Sequence, residues 1–495
     1  MTWGKHVYYS ILIILLIAGG FFRFYNLSHD SYWMDEGYTV NAVISVVEHG
    51  ETTLDSGLPY SCPTYCYPTA ILVKIFGDSP AVYRSLSALA GVLFILLIFL
   101  LASRIFDKRV ALVASFFTAF SYWQIAWSRQ ARWYTLFALF FWLAFYFFYK
   151  FLYDKPISER QKYFYLAFSL LFTLLSIFTH SLGYLLPLFF ILWLGYEKVY
   201  REKHYRLGAA LVACFVLVLF LARDLFGNIT FFNLLPYYAS FYLREYWLFL
   251  LLAIPAFIYR EYRKPVCLLT ALFFIYLIPL SFFTELLHYR YLFHATPILI
   301  ILAGTGCYVI FQKIKSRYGQ ILFGTLVAIA FFISGAGVLV PQDNYFLEAD
   351  DPEKQQGLFG DVDYFAYTPQ PNWRAAYVFI QEKSHAGDIV ISSHPHFNKI
   401  YLGEAGYWLK YPYLGPDSAE STIVNNREYY VGALVIDDLN ELQTITAESN
   451  GFIVFDYMAT DDRILAETLD FIETNFELVF HDKRNSYSQV WVYRF

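Results

Sequence analysis

The sequence predicts a polytopic α-helical membrane protein of about eleven transmembrane helices, followed by a soluble C-terminal α/β domain. Three observations predict it. Of the 495 residues, 58% are hydrophobic and 16% charged, whereas about a quarter are charged in a soluble globule. Apolar runs of bilayer length recur as far as residue 340. Beyond that point the charge inverts: residues 341–495 carry 25 acidic and 10 basic side chains, net −15, while residues 1–340 carry 26 basic and 16 acidic, net +10.

Taken in order, the first run, Val7 to Phe24, has only Lys5 and His6 close before it and no small-residue cleavage site after it. It is therefore expected to be a retained helix and not a signal peptide. Further runs fall at 81–103, 110–128, 133–151, 163–179, 182–197, 207–222, 245–259, 266–284, 291–311 and 320–340. Basic clusters occupy every second connection: Arg104, Lys108 and Arg109; Lys150, Lys155, Arg160 and Lys162; Lys198, Arg201, Lys203 and Arg206; Arg260, Arg263 and Lys264; Lys313, Lys315 and Arg317. The positive-inside bias puts those loops and the N-terminus in the cytoplasm; a multi-pass protein of the plasma membrane is expected. The first loop, 26–80, and the acidic C-terminal part are then outside.

The expected division is a transmembrane domain over 1–340, a polar linker over 341–372 and an extracytoplasmic domain over 373–495. In the last of these, Trp373 to Lys383, Leu439 to Glu448 and Asp461 to Thr474 read as helices. The stretches DIVISS, GALVID and GFIVFDY and two closing segments read as strands, with a loop rich in Tyr and His after the first. Such alternation suggests two or three layers of α and β elements.

The candidate site starts from Asp35 and Glu36 in the run WMDEGY, directly after the first apolar span. An unpaired acid facing hydrocarbon costs several kcal/mol, so the pair either looks into an aqueous cavity or merely marks the end of a helix. Few cations fall on the expected outer side: Arg84, Arg129, Arg132, Arg223, Arg244 and Arg290. Arg129 and Arg132 are three apart and can turn the same way to hold one anion. A lone arginine there also snorkels to lipid headgroups, the reading preferred for Arg223 and Arg244. Arg132 and Arg290 stand beside Trp133 and Tyr134, and Tyr289 and Tyr291, which favours a binding role.

His180 is placed by arithmetic. Between Lys162 and Lys198, about 35 helical residues span roughly 53 Å, short of two ~30 Å crossings, so the hairpin is short and its tip is recessed. The histidine then either contacts a ligand or bonds within the helix interface. Cys62 and Cys66, four apart in the first loop, are candidates for a disulfide; a metal site lacks further ligands beside them. Cys214, Cys267 and Cys307 lie in apolar runs and read as packing residues. His394 and His396 flank Pro395 without a carboxylate at ligand spacing, so a structural role is favoured over a metal.

WMDEGY, then YPTAILVKIFGDSPAVYRSLSALAG, SRQARWY, THSLG and RYLFHATP occur in an order that resembles the GT-C superfamily of polyprenyl-phosphate-dependent glycosyltransferases. The branch it resembles holds the protein O-mannosyltransferases and aminoarabinose transferases. The resemblance implies a GT-C-like fold and an enzyme of the hexosyl- or pentosyltransferase class. Such an enzyme moves a sugar with inversion from a polyprenyl-phosphate donor to a hydroxyl of a protein, glycan or lipid acceptor. It implies Asp35 as general base, Glu36 orienting it or binding the acceptor, and Arg132, His180 and Arg290 along the donor cavity, with Arg129, Arg84 and Tyr134 beside them. The aminoarabinose branch places Lys before the Pro of the first loop; here Tyr67 precedes Pro68, a departure that counts against aminoarabinose as the sugar. No nucleic-acid partner and no obligatory cofactor are expected, and a divalent metal stays open. The rival class is a transporter or flippase of lipid-linked sugar; a receptor or scaffold leaves the acids and arginines unexplained. Transporters carry inverted repeats, and no repeat is found here.

Overall fold

The computed structural model describes residues 5–52, 60–155, 158–202, 234–282, 288–342, 371–410, 423–457, 459, 464–482 and 489–495. Helices α1 (Lys5–Phe24), α2 (Met34–His49), α3 (Pro63–Phe76), α4 (Pro80–Ile105), α5 (Lys108–Phe120), α6 (Tyr122–Ser128), α7 (Tyr134–Tyr153) and α8 (Glu159–Thr179) open the chain. Helices Leu185–Glu202, Leu235–Glu245, Trp247–Ile258, Arg263–Phe282, Thr296–Lys313 and Arg317–Ile333 complete the described part of the bundle. Ten of the eleven expected apolar runs fall on these helices; the run 207–222, with Cys214 and Arg223, lies outside the described residues.

Six described helices are long and apolar enough to cross a membrane, and the bent pair Leu235–Glu245 and Trp247–Ile258, turned by 93°, makes a seventh if it is one span. The chain is an integral membrane protein. Their outward faces are apolar, with Ile13, Ile14, Ile17, Leu170, Leu174 and Phe178 exposed, as lipid requires. The expected run 110–128 is broken at Ser121, whose backbone is extended. The physical reason is a local strand pairing: Tyr122 N donates to Ala336 O and Val338 N to Phe120 O. An unforeseen charge ties α1 to α5. Arg23 is 1% exposed and donates to the carbonyls of Gly19, Thr118 and Ala119. Gly91 of α4 makes room for it, since a Cβ there would meet its Nε at 2.7 Å.

The C-terminal part is a mixed eight-stranded sheet in the order β3-β4-β5-β2-β1-β6-β8-β7. The strands are β1 (Ile389–Ser392), β2 (Tyr407–Leu409), β3 (Ile423–Val424), β4 (Arg427–Glu428), β5 (Leu434–Ile436), β6 (Gly451–Asp456), β7 (Glu477–His481) and β8 (Val490–Arg494). Strands β5, β2, β1 and β6 run parallel. Both faces of the sheet are covered, so β6 is buried throughout. Ile391, Ile453, Phe455 and Tyr493 pack with Leu442 and Ile472 of helices Leu439–Glu448 and Ala466–Asn475. On the opposite face Val390, Phe452, Val454, Val490 and Val492 meet Trp373, Tyr377 and Ile380 of helix Trp373–Lys383 and Phe397 of helix Pro395–Leu402. That gives three layers. The same cluster continues into Val40, Val43 and Val46 of α2 and Ala70 and Val73 of α3, so the sheet and the first loop share one core.

The expected Tyr- and His-rich loop is instead helix Pro395–Leu402 and strand β2. Eight residues give little periodicity to read; the signal was Pro395 at the first helical turn.

Candidate active site

The acid pair sits where it does because α2 begins there. Trp33 is the N-cap, and Glu36, three residues on, reaches back to its backbone N–H at 3.4 Å, which closes the first turn. Asp35 lies one residue earlier in that turn, where the helix dipole favours an anion. The two acids have different surroundings.

Glu36 is 0% exposed. Arg84 grips it with Nε to Oε1 at 2.9 Å and Nη2 to Oε2 at 2.8 Å, and Ala131 N adds a third bond to Oε1 at 2.6 Å. Arg84 spends its other protons on the carbonyls of Leu27, Asp30 and Ser31. Its five N–H groups are all engaged, leaving none for a phosphate. Arg129 likewise turns to the end of α1, donating to the carbonyls of Phe22, Arg23 and Tyr25. The structure therefore does not bring Arg129 and Arg132 onto one anion.

Asp35 keeps a side chain 15% exposed. Its Oδ2 takes Arg290 Nη1 at 2.9 Å and Arg132 Nη2 at 3.3 Å. Arg132 is braced by Nη1 bonds to Asp35 O, Thr39 Oγ1 and Tyr60 OH at 2.8, 2.8 and 2.9 Å. Its guanidinium lies 4.0 Å over Trp133 and 5.8 Å from Tyr134, while that of Arg290 lies 5.6 Å from both Trp33 and Tyr291. Burial pushes the Asp35 carboxyl up, but Arg132 and Arg290 together outweigh it and hold it below its ordinary value. Two cations face one anion, and the Nε of each arginine is buried without a partner.

His180 caps α8 and takes Leu182 N on its Nδ1 at 3.1 Å. Its ring faces Phe137, Tyr134 and Tyr291, at 5.2, 5.9 and 5.8 Å, and feels both arginines. Cys62 and Cys66 are joined as a disulfide at the start of α3, close to Tyr60. Among the described residues no three His, Cys, Asp or Glu side chains come together as metal ligands. His396, read from the sequence as structural, is 2% exposed and packs from the C-terminal domain onto Gly37 and Tyr38.

Residues 60–222, 163 of the 495, match the family model of dolichyl-phosphate-mannose-protein mannosyltransferases. The fold is that of ArnT from Cupriavidus metallidurans bound to undecaprenyl phosphate, with a TM-score of 0.60 at 14% identity over 99% of this chain and 98% of that one. The chain has the GT-C fold. A second GT-C structure, the Archaeoglobus fulgidus oligosaccharyltransferase in the apo form, matches with a TM-score of 0.59 at 14% identity over 93% of this chain and 71% of that one. The oligosaccharyltransferase AglB of the same organism, in complex with an inhibitory peptide and a dolichol-phosphate, gives 0.57 at 14% identity over 92% and 70%. No curated protein matches by sequence. The resemblance read from the motifs is met by both the family model and the fold. The matched segment contains Arg84, Arg129, Arg132, Tyr134 and His180; Asp35, Glu36 and Arg290 fall outside it.

Proposed function

We propose that this chain is an inverting glycosyltransferase that moves a sugar from a polyprenyl-phosphate donor to an acceptor hydroxyl on the extracytoplasmic side of the membrane. The observation that carries the reading is the Asp35–Arg132–Arg290 cluster, in which one carboxylate is outnumbered by two guanidiniums, each with a spare N–H. An acid and a net positive charge side by side are what the chemistry needs. Asp35 takes the proton of the acceptor hydroxyl, whose oxygen bonds the anomeric carbon as the bond to phosphate breaks. Arg132 and Arg290 neutralise the departing polyprenyl phosphate, which supplies charge that a divalent ion would otherwise bring.

The arginines raise a difficulty that the donor itself removes. While both bind Asp35 they lower its basicity; once a phosphate draws them away, the carboxylate becomes a stronger base. Donor binding thus arms the base. Glu36 and Arg84 belong to the scaffold beneath it, and residues 1–340 and 373–495 are assigned as catalytic bundle and cover.

The test is paired. Asp35→Asn is expected to bind a polyprenyl-phosphate sugar as wild type does or more tightly, while transfer and release of polyprenyl phosphate fall by about 10²–10⁴-fold, the usual worth of a general base. Wild-type protein that carries the lipid-linked sugar across a vesicle membrane and never cleaves it would show a flippase instead.

A further inference from the structure

His396 stands at the start of helix Pro395–Leu402 and is delivered to α2 by a rigid joint. Asn41 Nδ2 donates at once to Gly37 O, at 2.9 Å, and to His396 O, at 3.0 Å. The imidazole packs against Tyr38, with ring centres 4.5 Å apart, and Phe397, at 4.2 Å. Tyr430 also stacks on Tyr38, at 3.9 Å.

The approach to α2 is close enough to explain the glycine in the motif. A Cβ on Gly37 would lie 2.3 Å from His396 Cδ2 and 2.9 Å from its Nε2, so a side chain at 37 would force the imidazole out of its place. The Nε2 edge of the ring therefore lies against the first turn of α2, two residues past Asp35. Asp35 is the charged group it feels there.

That Nε2 is buried and has no hydrogen-bond partner. A buried polar atom left unsatisfied costs about 1–3 kcal/mol, so its presence calls for an explanation, a role in binding or catalysis among them. A Phe would fill the same aromatic wall at no such cost. The ring is neutral: burial pushes it down to about 3, against a smaller upward pull from Asp35. A neutral imidazole has one ring N–H and one acceptor nitrogen, so it can hold an uncharged polar group without competing for the phosphate.

We propose that His396 is the acceptor contact of the site, its Nε2 hydrogen-bonding a polar group next to the hydroxyl that Asp35 deprotonates, so that the C-terminal domain supplies part of the acceptor subsite. This rests on the glycosyltransferase reading. The donor phosphate is held by arginines of the bundle, and the two substrates meet along the joint between bundle and sheet.

The experiment uses the full chain in lipid nanodiscs and two variants. His396→Phe keeps the aromatic packing and removes the nitrogen; His396→Gln keeps a polar end at the reach of Nε2. Affinity for undecaprenyl phosphate is measured first, then transfer from a polyprenyl-phosphate sugar to acceptor extracted from native membranes. His396→Phe is expected to bind undecaprenyl phosphate like wild type and to raise the acceptor KM about tenfold, the scale of one lost hydrogen bond, with His396→Gln recovering most of it. Transfer by His396→Phe with wild-type KM overturns the proposal. So does loss of undecaprenyl phosphate binding in both variants, which marks a packing role. Failure of the wild-type protein to cleave any sugar–phosphate bond overturns the glycosyltransferase reading itself, before a variant is made.

Discussion

Replacing Glu36 with Gln separates scaffold from chemistry. The carboxylate has both oxygens committed to donors: Oε1 to Arg84 Nε and Ala131 N, Oε2 to Arg84 Nη2 and Trp33 N. A Gln amide must put its NH₂ against one of these pairs of donors, and flipping it only exchanges one clash for the other. The substitution also leaves Arg84, with a side chain 2% exposed, as a buried charge without the carboxylate it is paired with. Breaking such a pair costs about 3–5 kcal/mol, so Glu36→Gln is expected to unfold at distinctly lower temperature or denaturant in a tryptophan-fluorescence melt. Transfer by the fraction that stays folded should survive. Adding Arg84→Met removes the stranded charge but frees the carbonyls of Leu27, Asp30 and Ser31, so the double variant should recover only part of the loss. A Glu36→Gln protein that melts within about 1 kcal/mol of wild type, yet has lost transfer, would refute the scaffold assignment and return Glu36 to the reaction.

Arg132→Lys and Arg290→Lys should each weaken undecaprenyl phosphate binding, since a point charge cannot reproduce a planar fork, whereas Arg104→Ala, which loses an exposed pair with Asp154, should leave it unchanged in the same titration. Gly37→Ala puts a methyl into His396 and should cost about 1–3 kcal/mol of overpacking, seen as faster proteolytic release of the C-terminal domain. His396 has its pKa depressed from 6.5 to about 3, so its contribution to stability is present above pH 6.5 and is lost as pH falls towards 3; His396→Gln should flatten a thermal-melt profile across that window. Glu428 carries the opposite sign. Burial raises it from 4.5 to about 7 despite a bond from Val431 N at 2.8 Å, so stability present below pH 4.5 is lost as pH rises through 7, and Glu428→Gln should remove that slope.

Much of this molecule was legible in the order of its residues because lipid imposes a strong pattern, apolar runs of bilayer length, and these fall on the described helices. Asp35 was legible because acids beside a membrane are expensive. Direction was not. Arg129 and Arg132 have the spacing of a shared anion site, but the turn between α6 and α7 sends one to α1 and the other to Asp35. Arg23 hid inside an apolar run, since only the close approach of Gly91 and the carbonyls of α5 explain a cation there. His396 was read beside His394 as a local pair; its meaning comes from Gly37 and Asn41, more than three hundred positions away along the chain.

The shared core of sheet and first loop makes α2 and α3 depend on partners far along the chain. Val40, Val43 and Val46 are synthesised long before Trp373, Val490 and Val492, the side chains with which they are buried. A chain interrupted after the last membrane helix still holds Asp35 and its arginines, yet displays a bare hydrophobic face on α2 and α3, and proteases and chaperones act on such faces. Strand β8 lies inside that core through Val490 and Val492. Loss of β8 would therefore uncover α2 and α3 while leaving every residue of the Asp35 cluster in the chain.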